Sequence, residues 1–444
     1  MKLNTLKKLI NDKKWTDIKA NLDEMNEFDI ASLINELDNQ MLIRVFRLLS
    51  KDKATDVFVN LDSEVQHALI RLLTDKETKM IIEDMFTDDA ADLFDEMPAI
   101  VVNNILSKVD KDIRNDINKL LKYPTNSAGS LMAVEYIHFN KGMTIKDAIM
   151  DIRRQKEDFV SYDSCFVTDN ERHLLGRLSI KELITNDPDN LVDDVMEETH
   201  MINTLMDQED VAKFFQDYDY ASLPVVDSEN RLVGIITIDD IVDIMEKETT
   251  EDIEKMAAIV PAEKSYDKTS VWQTFKNRIP WLLLLMVSAT FTGKIIQSFE
   301  DSLAAYTILT AFIPMLMDSG GNAGGQASVS IIRALSLKDI AFRDLGRVLW
   351  KEFRVAILCA IALGLCNFTK MMVIDHTTIF IAITVTLSLS STIIIAKLIG
   401  CTLPMVAAKI GFDPAVMASP FITTLVDATS LLIYFNIARV ILKI

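Results

Sequence analysis

Long apolar runs in the last two fifths of the chain constrain its fold more than any other feature. They occupy, in round bounds, residues 279–298, 304–335, 355–374, 378–408 and 415–438. Each run reaches or exceeds the ~20 residues that a helix needs to cross the ~30 Å hydrocarbon core of a bilayer. The sequence therefore predicts a membrane domain of five helices over residues 271–444, preceded by soluble domains.

Four of the 13 glycines fall within six residues, inside the second apolar run. They stand at positions 320, 321, 324 and 325, in the stretch PMLMDSGGNAGGQ. Glycine and proline weaken helices, and broken backbone at membrane depth survives only where it is buried in protein or lines a wet cavity. We therefore expect this span either to break or to pack closely against another helix, beside a pathway through the membrane.

Charge divides the chain near residue 270. Up to Ser270 there are 56 acidic and 32 basic residues (net −24), and from Val271 onward there are 9 acidic and 14 basic residues (net +5). The acidic part argues against binding of nucleic acid, which needs basic patches, and favours cationic partners. The four cysteines form no CxxC pair, and we expect them to be reduced.

Basic residues also flank the apolar runs asymmetrically. They precede the first run, separate the second from the third and follow the fourth. By the positive-inside rule these loops are cytoplasmic, and no cleavable signal peptide is recognisable in the Lys-rich start. We expect a multi-pass protein of the cell (inner) membrane with cytoplasmic N-terminal domains. The segment LSLKDIAFRDLGRVLWKEFR, residues 335–354, is predicted to be an amphipathic helix at the inner interface.

Ionisable residues are few within the apolar runs. Asp427 lies near the middle of the last run, where a carboxylate indicates an ion pathway unless it is protonated and bonded to a neighbouring helix. Asp318 is a second candidate ligand, or else the cap of a broken helix, and Lys397 is expected to snorkel toward the interface rather than pair with an acid. With Asn322 and Gln326, these carboxylates supply the oxygen ligands that a hard cation such as Mg²⁺ prefers.

An internal repeat with an offset of 58 residues occupies the soluble part. YDSCFVTDNERHLLGRLSIKELI, residues 162–184, aligns without gaps with YASLPVVDSENRLVGIITIDDIV, residues 220–242. Each copy predicts a strand, a turn, a second strand and a helix. The pattern resembles a tandem CBS pair (a Bateman module), an α/β fold that senses ligands. It is predicted over residues 125–243, with copies at about 133–196 and 197–243.

A short sequence in the second copy bears on nucleotide binding. Thr237-Ile238-Asp239 matches a Thr-x-Asp that holds a ribose in some CBS modules, so Thr237 and Asp239 are candidates for binding ATP. The alternative interpretation is an ordinary helix N-cap.

Residues 1–124 show recurring amphipathic helices without an alternating strand pattern, which predicts an all-α solenoid domain. Within it, Asp88 and Asp92 share one helical face at i,i+4 spacing. They repel each other unless a cation lies between them; a solvated acidic face is the alternative. A second acidic helix follows the second repeat and leads to a connecting helix over residues 244–270.

The whole chain resembles the MgtE family of magnesium channels and transporters. The resemblance rests on DDAADLFDEMP, YPTNSAGSLM, the tandem CBS copies, TTEDIEKM, NRIPWLLLL, GGNAGGQ and DPAVMASPFITTLVDATSLLIYF. It implies a homodimer in the lipid bilayer, with a pore lined by the second and fifth spans. Asp427 would hold a hydrated Mg²⁺, assisted by backbone oxygen around Ala311 to Pro314, and Ser419 takes the place of a family asparagine.

The same resemblance implies that the cytosolic part senses Mg²⁺ and that residues 244–270 form a "plug" helix. The positions that match the sensor are Asp88, Asp92, Glu64, Glu209, Asp219, Asp240, Asp243, Glu248, Glu251 and Asp252. At high cytosolic Mg²⁺, bridging ions would hold the plug helices against the pore. At low Mg²⁺, repulsion between the acidic domains would open it, since a ligand shifts such an equilibrium through its differential affinity for the two states.

Two other functions remain open from the sequence. One is an ion-coupled divalent-cation carrier, because broken helices also occur in transporters that work by alternating access. The other is a membrane-anchored CBS sensor of Mg²⁺ or nucleotide that passes no ion. An enzyme is not expected, because the membrane part has a single histidine, His376, and no spacing typical of a nucleophile and its base.

Overall fold

The structure is a computed structural model that describes residues 2–155, 159–262, 266, 269–300, 304, 306–417 and 419–443, without the side chains of Asp52 and Ser419. The chain divides into two compact units, Met1–Glu246 and Lys247–Ile444. Each unit contains hydrophobic clusters of its own.

Short helices form the start of the first unit, as the sequence predicts. They are α1 Leu3–Asn11, α2 Trp15–Asp23, α3 Glu27–Ile34, α4 Asn39–Phe46, α5 Lys51–Val59, α6 Ser63–Leu72, α7 Asp75–Asp84, α8 Thr87–Asp95, α9 Ala99–Leu106 and α10 Lys111–Leu120. Polar residues begin several of them: Asp38 caps α4, and Thr74 forms a capping box with Glu77 at the start of α7. The apolar faces share one core that includes Leu6, Ile30 and Phe58, so the all-α N-terminal domain is confirmed.

Two three-stranded sheets follow in the first unit. The first contains β1 His138–Asn140, β2 Ser164–Thr168 and β3 Leu174–Ser179, and the second contains β4 Ile202–Asn203, β5 Ser222–Val226 and β6 Leu232–Thr237. In each sheet the first strand is parallel to the middle strand and the third is antiparallel to it. The helices are α11 Ala128–Leu131, α12 Ile145–Gln155, α13 Ile180–Thr185, α14 Val192–Val195, α15 Gln208–Tyr218 and α16 Ile238–Met256, of which α16 continues past the boundary between the units at Glu246. The predicted order of strand, turn, strand and helix is confirmed in both copies.

Each copy contributes a short backbone segment that pairs with the sheet of the other copy. The backbone at Ala133 bridges β6 of the second sheet, and the backbone at Glu197 bridges β3 of the first. A Cβ atom on Gly234 would lie 2.7 Å from the Ala133 carbonyl oxygen, and one on Gly176 would lie 2.6 Å from the Glu197 carbonyl oxygen. The glycine that the repeat keeps at the same place in both copies therefore admits a close backbone approach.

Long helices make up most of the second unit. They are α17 Val271–Ser298, α18 Ile313–Ser336, α19 Leu345–Val373, α20 Ile379–Lys409 and α21 Ser419–Leu442, with 3-10 turns at Thr307–Phe312, Phe342–Asp344 and Pro414–Met417. Within the described residues, four segments are long and apolar enough to cross a membrane: Val271–Ser298, Phe342–Val373, Ile379–Lys409 and Pro414–Leu442. The predicted second span corresponds to α18, which contains the polar and glycine-rich stretch, and its membrane crossing stays a prediction.

Helix α18 runs without interruption through the glycine-rich stretch, so the break that the sequence suggested is absent. Phe312 is the N-cap residue and Asp318 lies well inside the helix, so Asp318 does not cap a broken end. The alternative, close packing, is what the structure shows, because Gly320, Gly321 and Gly324 are buried against neighbouring helices. An unbroken helix pairs its backbone N–H and C=O groups internally, which a membrane domain requires wherever no water can pair with them.

The predicted interfacial helix over residues 335–354 is also wrong. Helix α18 ends at Ser336, and α19 begins at Leu345 and continues without a break to Val373. The charged residues after Leu345 thus belong to the first turns of a long apolar helix rather than to a separate surface helix.

Candidate cation sites

Asp427 lies in α21, on the side that packs against α18. Its Oδ1 atom is buried and has no hydrogen-bond partner among the described residues, and the Asp318 carboxylate of α18 is near enough to interact with it electrostatically. Glycines allow this approach: a Cβ atom on Gly321 would lie 2.9 Å from Thr423 Cγ2, and one on Gly320 would lie 2.9 Å from Ser430 Oγ. The structure thus brings together the two predicted carboxylates of the pore.

An exposed stripe of α18 is polar. Asp318, Asn322 and Gln326 follow each other at intervals of four residues and are all exposed, whereas Gly320, Gly324 and their neighbours are buried. A polar stripe on a helix in a membrane domain needs water or another protein surface, because lipid cannot satisfy it.

Two further predicted pore positions, Ala311 and Ser419, lie at or just before the start of a helix. Ala311 is exposed in the 3-10 turn that precedes α18, where irregular backbone can present carbonyl oxygens. Ser419 is the first residue of α21, but its side chain lies outside the described residues.

Lys397 does not snorkel, contrary to the prediction. It is buried in α20, and its Nζ atom lies 3.9 Å from Glu352 Oε2 of α19. Both side chains are at most 14% exposed. This acid was not predicted as a partner, because Glu352 was expected on a surface helix rather than in the long helix that contains the third apolar run.

In the first unit, α8 brings carboxylates close to the start of α16. Asp88 and Asp89 of α8 both interact with Asp240 in the first turn of α16. Glu135, which lies between α11 and β1, interacts with both α8 residues. We call these four residues the acidic set.

The acidic set is crowded enough to perturb its own ionisation. Burial raises the pKa of Asp88 well above its usual range, and the neighbouring Asp89 and Asp240 raise it further. Burial and Asp240 raise the pKa of Asp89 to about 7. Burial raises the pKa of Asp240 to about 6 despite a hydrogen bond from Thr237. At neutral pH this arrangement calls for protons or cations to offset the repulsion.

Other predicted sensor residues divide into two groups. Asp92 and Asp243 are exposed, but their charges act on Asp89 and Asp240 respectively. Glu64, Glu209 and Asp219 lie on other elements: at the start of α6, at the start of α15 and at the left-handed C-cap of α15.

Two members of the acidic set were not predicted from the sequence. Asp89 adjoins the i,i+4 pair of Asp88 and Asp92 in the same motif, and its position there is the signal that could have identified it. Glu135 stands 48 residues from its hydrogen-bond partner Thr87, and no local pattern marks it.

The carboxylates of the acidic set lie close together but do not form a closed metal-binding site. Among the described ranges of the chain, no three Asp, Glu, His or Cys side chains are grouped so that they could hold a metal ion. Mg²⁺ commonly keeps several waters and takes one or two carboxylates, so an open set of oxygens suits it.

A second group of charges lies at the C-terminal end of α16, within the second unit. Lys255 Nζ lies 2.7 Å from Asp413 Oδ2, just before α21, and also pairs with Glu251 one turn earlier. Although burial opposes it, hydrogen bonds to these two acids raise the pKa of Lys255. The lysine therefore links the C-terminal end of α16 to the segment that leads into α21.

The connecting helix predicted over residues 244–270 ends at Met256, and two more of its predicted sensor residues lie in the same region of α16. Burial, and then the charge of Asp413, raise the pKa of Asp252. Glu248 is half-buried one turn before Asp252. Glu251 and Asp252 are thus gathered near Asp413, which the sequence analysis had not singled out.

The Thr-x-Asp sequence of the second CBS copy behaves as a helix start. The Thr237 hydroxyl donates to Asp240 Oδ2 at 2.7 Å, and Asp239 is exposed in the first turn of α16. This geometry favours the N-cap interpretation, and nucleotide binding by Thr237 and Asp239 stays a prediction.

Comparisons with known families match three parts of the chain. The family described as "Divalent cation transporter" matches residues 313–437, the MgtE intracellular N domain matches residues 25–126, and the CBS domain matches residues 192–247. These matches cover α18 to most of α21, α3 to α10 of the helical domain, and the second sheet.

Whole proteins also align over nearly the full length. The chain is 34% identical to the magnesium transporter MgtE of Thermus thermophilus over 427 residues, 95% of this chain and 94% of the relative. It is 32% identical to the MgtE of Bacillus subtilis over 436 residues, 97% of this chain and 95% of the relative.

Solved structures resemble the soluble part. The cytosolic domain of the Mg²⁺ channel MgtE in complex with ATP is 32% identical, with a TM-score of 0.52; the match covers 55% of this chain and all of that one. The soluble part of a magnesium transporter is 25% identical, with a TM-score of 0.51, over 55% of this chain and 97% of that one.

Proposed function

The chain belongs to the MgtE family, and we propose that it is a Mg²⁺-selective channel that imports Mg²⁺ across the cell membrane. The soluble domains would lie in the cytoplasm, as in the cytosolic domain of the related Mg²⁺ channel. The observation that carries the proposal is Asp427, a mid-helix carboxylate with a buried, unpartnered oxygen beside Asp318.

Selection of Mg²⁺ would follow from its reluctance to lose water. Carboxylates spaced to accept hydrogen bonds from the water shell, rather than to replace it, bind weakly enough to let the ion leave. Asp427 would supply the charge, with Asp318, Asn322, Ser419 and the backbone at Ala311 as further oxygen sources.

A homodimer would complete the pore. The exposed polar stripe of Asp318, Asn322 and Gln326 on α18 needs a hydrated or protein-lined partner surface. In the first unit, Ile238, Val242 and Met245 of α16 form an exposed apolar stripe at helical spacing. Pairing of two copies would cover both stripes.

Cytosolic Mg²⁺ would gate the channel through the carboxylates of the helical domain, the second CBS copy and the plug helix. The raised pKa values of Asp88, Asp89 and Asp240 support this, because burial and then like-charge repulsion disfavour the ionised carboxylates, and a divalent cation would offset both. As Mg²⁺ falls, that repulsion would separate the acidic surfaces and open the pore. ATP is a further proposed ligand of the CBS module, supported by the ATP complex of the related domain.

Mg²⁺ uptake by the full-length protein in liposomes tests the pore assignment. We expect Asp427→Asn to lower uptake by roughly tenfold or more, because it removes an intramembrane charge without changing side-chain size. Asp375→Asn is the matched control, since Asp375 lies in the loop after α19 and pairs there with Lys370 at 2.9 Å. Uptake by Asp427→Asn at the wild-type rate would refute the assignment.

The carrier alternative is separated from a channel in the same liposomes. Single-channel current steps driven by a Mg²⁺ gradient support a channel. An obligatory counter-flux of Na⁺ or H⁺ would show a coupled carrier instead of a channel. Absence of any Mg²⁺ flux would refute both and favour the membrane-anchored sensor.

A further inference from the structure

A hydrogen-bonded contact joins α8 to the CBS module without using any of the four aspartates of α8. The Thr87 N–H donates to Glu135 Oε1 at 3.2 Å, and the Thr87 hydroxyl donates to Glu135 Oε2 at 2.9 Å. The Val134 N–H donates to the Thr87 hydroxyl oxygen at 3.2 Å and to Glu135 Oε2 at 3.1 Å. Thr87 is only 4% exposed. We call this network the Thr87–Glu135 clasp.

The clasp is a helix cap supplied from a distant part of the chain. Thr87 is the first residue of α8, and its N–H is among the donors that a helix leaves unpaired at its start. A carboxylate at this end also interacts favourably with the helix dipole. Hydrogen bonds to an ionised acceptor are stronger than neutral ones.

The clasp adjoins aspartates that repel one another. Asp88 and Asp89 follow Thr87 directly, and both are repelled by Asp240 and by Glu135 itself. Glu135 therefore acts in two directions, since its charge adds to the repulsion while its oxygens hold the start of α8. Docking of α8 depends on the balance between these effects.

We propose that the Thr87–Glu135 clasp supplies part of the α8 docking that does not depend on a cation, beside the apolar packing of Ala91, and so helps to set the Mg²⁺ concentration at which α8 docks against the start of α16. The inference rests on the proposed Mg²⁺ sensor. Thr87 is a positioning residue and not a ligand. Without the clasp, bound Mg²⁺ must provide more of the docking free energy, so α8 docks only at a higher Mg²⁺ concentration.

The test is amide hydrogen exchange and limited proteolysis of the full-length protein in micelles, across a Mg²⁺ titration. Thr87→Val removes the hydroxyl at nearly constant volume, and we expect it to raise the half-maximal Mg²⁺ by about twofold to tenfold. Loss of one charge-assisted hydrogen bond changes the docking equilibrium constant by about a factor of ten. Where several Mg²⁺ ions bind on docking, each offsets part of this change, so the midpoint shifts by less. Thr87→Ser, the matched control, keeps the hydroxyl and should follow the wild type.

A second variant keeps the proposal falsifiable if Thr87→Val does not fold. Glu135→Asp preserves the charge but shortens the reach to Thr87, so it should shift the midpoint in the same direction. The double variant should shift it no further than the larger single change, because both remove the same bonds. If the wild type responds to Mg²⁺ and these variants coincide with it, the clasp proposal fails. If the wild type shows no response to Mg²⁺, the sensor proposal itself fails.

Discussion

At the scale of single residues, Gly324 and Gly400 determine how closely α18 and α20 approach. A Cβ atom on Gly400 would overlap the Gly324 carbonyl oxygen, and one on Gly324 would lie 3.1 Å from the Ala396 carbonyl oxygen. Small residues at helix crossings allow such contact in membranes. The glycine cluster in α18 was evident from the sequence, but its partner lies about 75 residues away and no local pattern connects them.

Substitution of Gly400 tests this contact. Gly400→Ala should lower the free energy of unfolding by about 1–3 kcal/mol, because the clash is with backbone that cannot rotate away. Gly293→Ala in α17 is the matched control, since no atom lies within 4 Å of its added Cβ, and its effect should be neutral or slightly stabilising. The thermal unfolding of both variants in micelles measures the difference, and equal melting temperatures would contradict the packing account.

At the scale of elements, α19 shows where sequence patterning misleads. Its first turns are charged, which favoured a surface helix, yet they continue directly into the third apolar run. Glu352 therefore lies inside a long helix and faces Lys397 of α20 across their interface. Each apolar run could be found from its length, but the partner of an intramembrane charge depends on which helices pack together.

Removal of one charge at this interface should cost more than removal of both. Lys397→Met leaves Glu352 buried without its cation, which is expected to destabilise the protein by about 3–5 kcal/mol. Adding Glu352→Gln should recover much of that loss. Thermal unfolding of the two single variants and the double variant gives the coupling between them, and additive effects would show that the ion pair contributes nothing.

At the scale of the whole molecule, the acidic excess explains why cations would control the first unit. The sequence predicted the charge asymmetry, the helical domain and the CBS repeat, and it identified Asp88, Asp92, Asp240 and Asp243. The meeting of α8 with the start of α16 could not be predicted, because it depends on the docking of a helix against a distant repeat. Glu135 was missed for the same reason.

Protons should partly replace Mg²⁺ in the acidic set. Docking raises the pKa of Asp89 to about 7 and of Asp240 to about 6, above the ordinary value near 4. A raised carboxyl pKa favours the docked state at low pH, and this stabilisation is lost as pH rises from about 4 through about 7. The titratable groups around Asp89 and Asp240 are all acidic, so their charges add to the repulsion. They are Asp88, Asp92, Glu135, Asp239 and Asp243.

Hydrogen exchange of α8 in Mg²⁺-free buffer measures this effect. Protection should be greater at pH 5.5 than at pH 8, and saturating Mg²⁺ should reduce the difference. Protection that does not change with pH in the absence of Mg²⁺ would show that the carboxylates are not desolvated together.

The most direct test of the account is Mg²⁺ flux through the full-length protein in a planar bilayer, as Mg²⁺ is varied on the side of the soluble domains. The account predicts that wild-type flux falls as this Mg²⁺ rises, and that Asp88→Ala combined with Asp92→Ala still conducts but loses much of that response, because ligands of the sensor are gone. Wild-type flux that is indifferent to Mg²⁺ on that side, or a double variant that closes at the wild-type concentration, would contradict it.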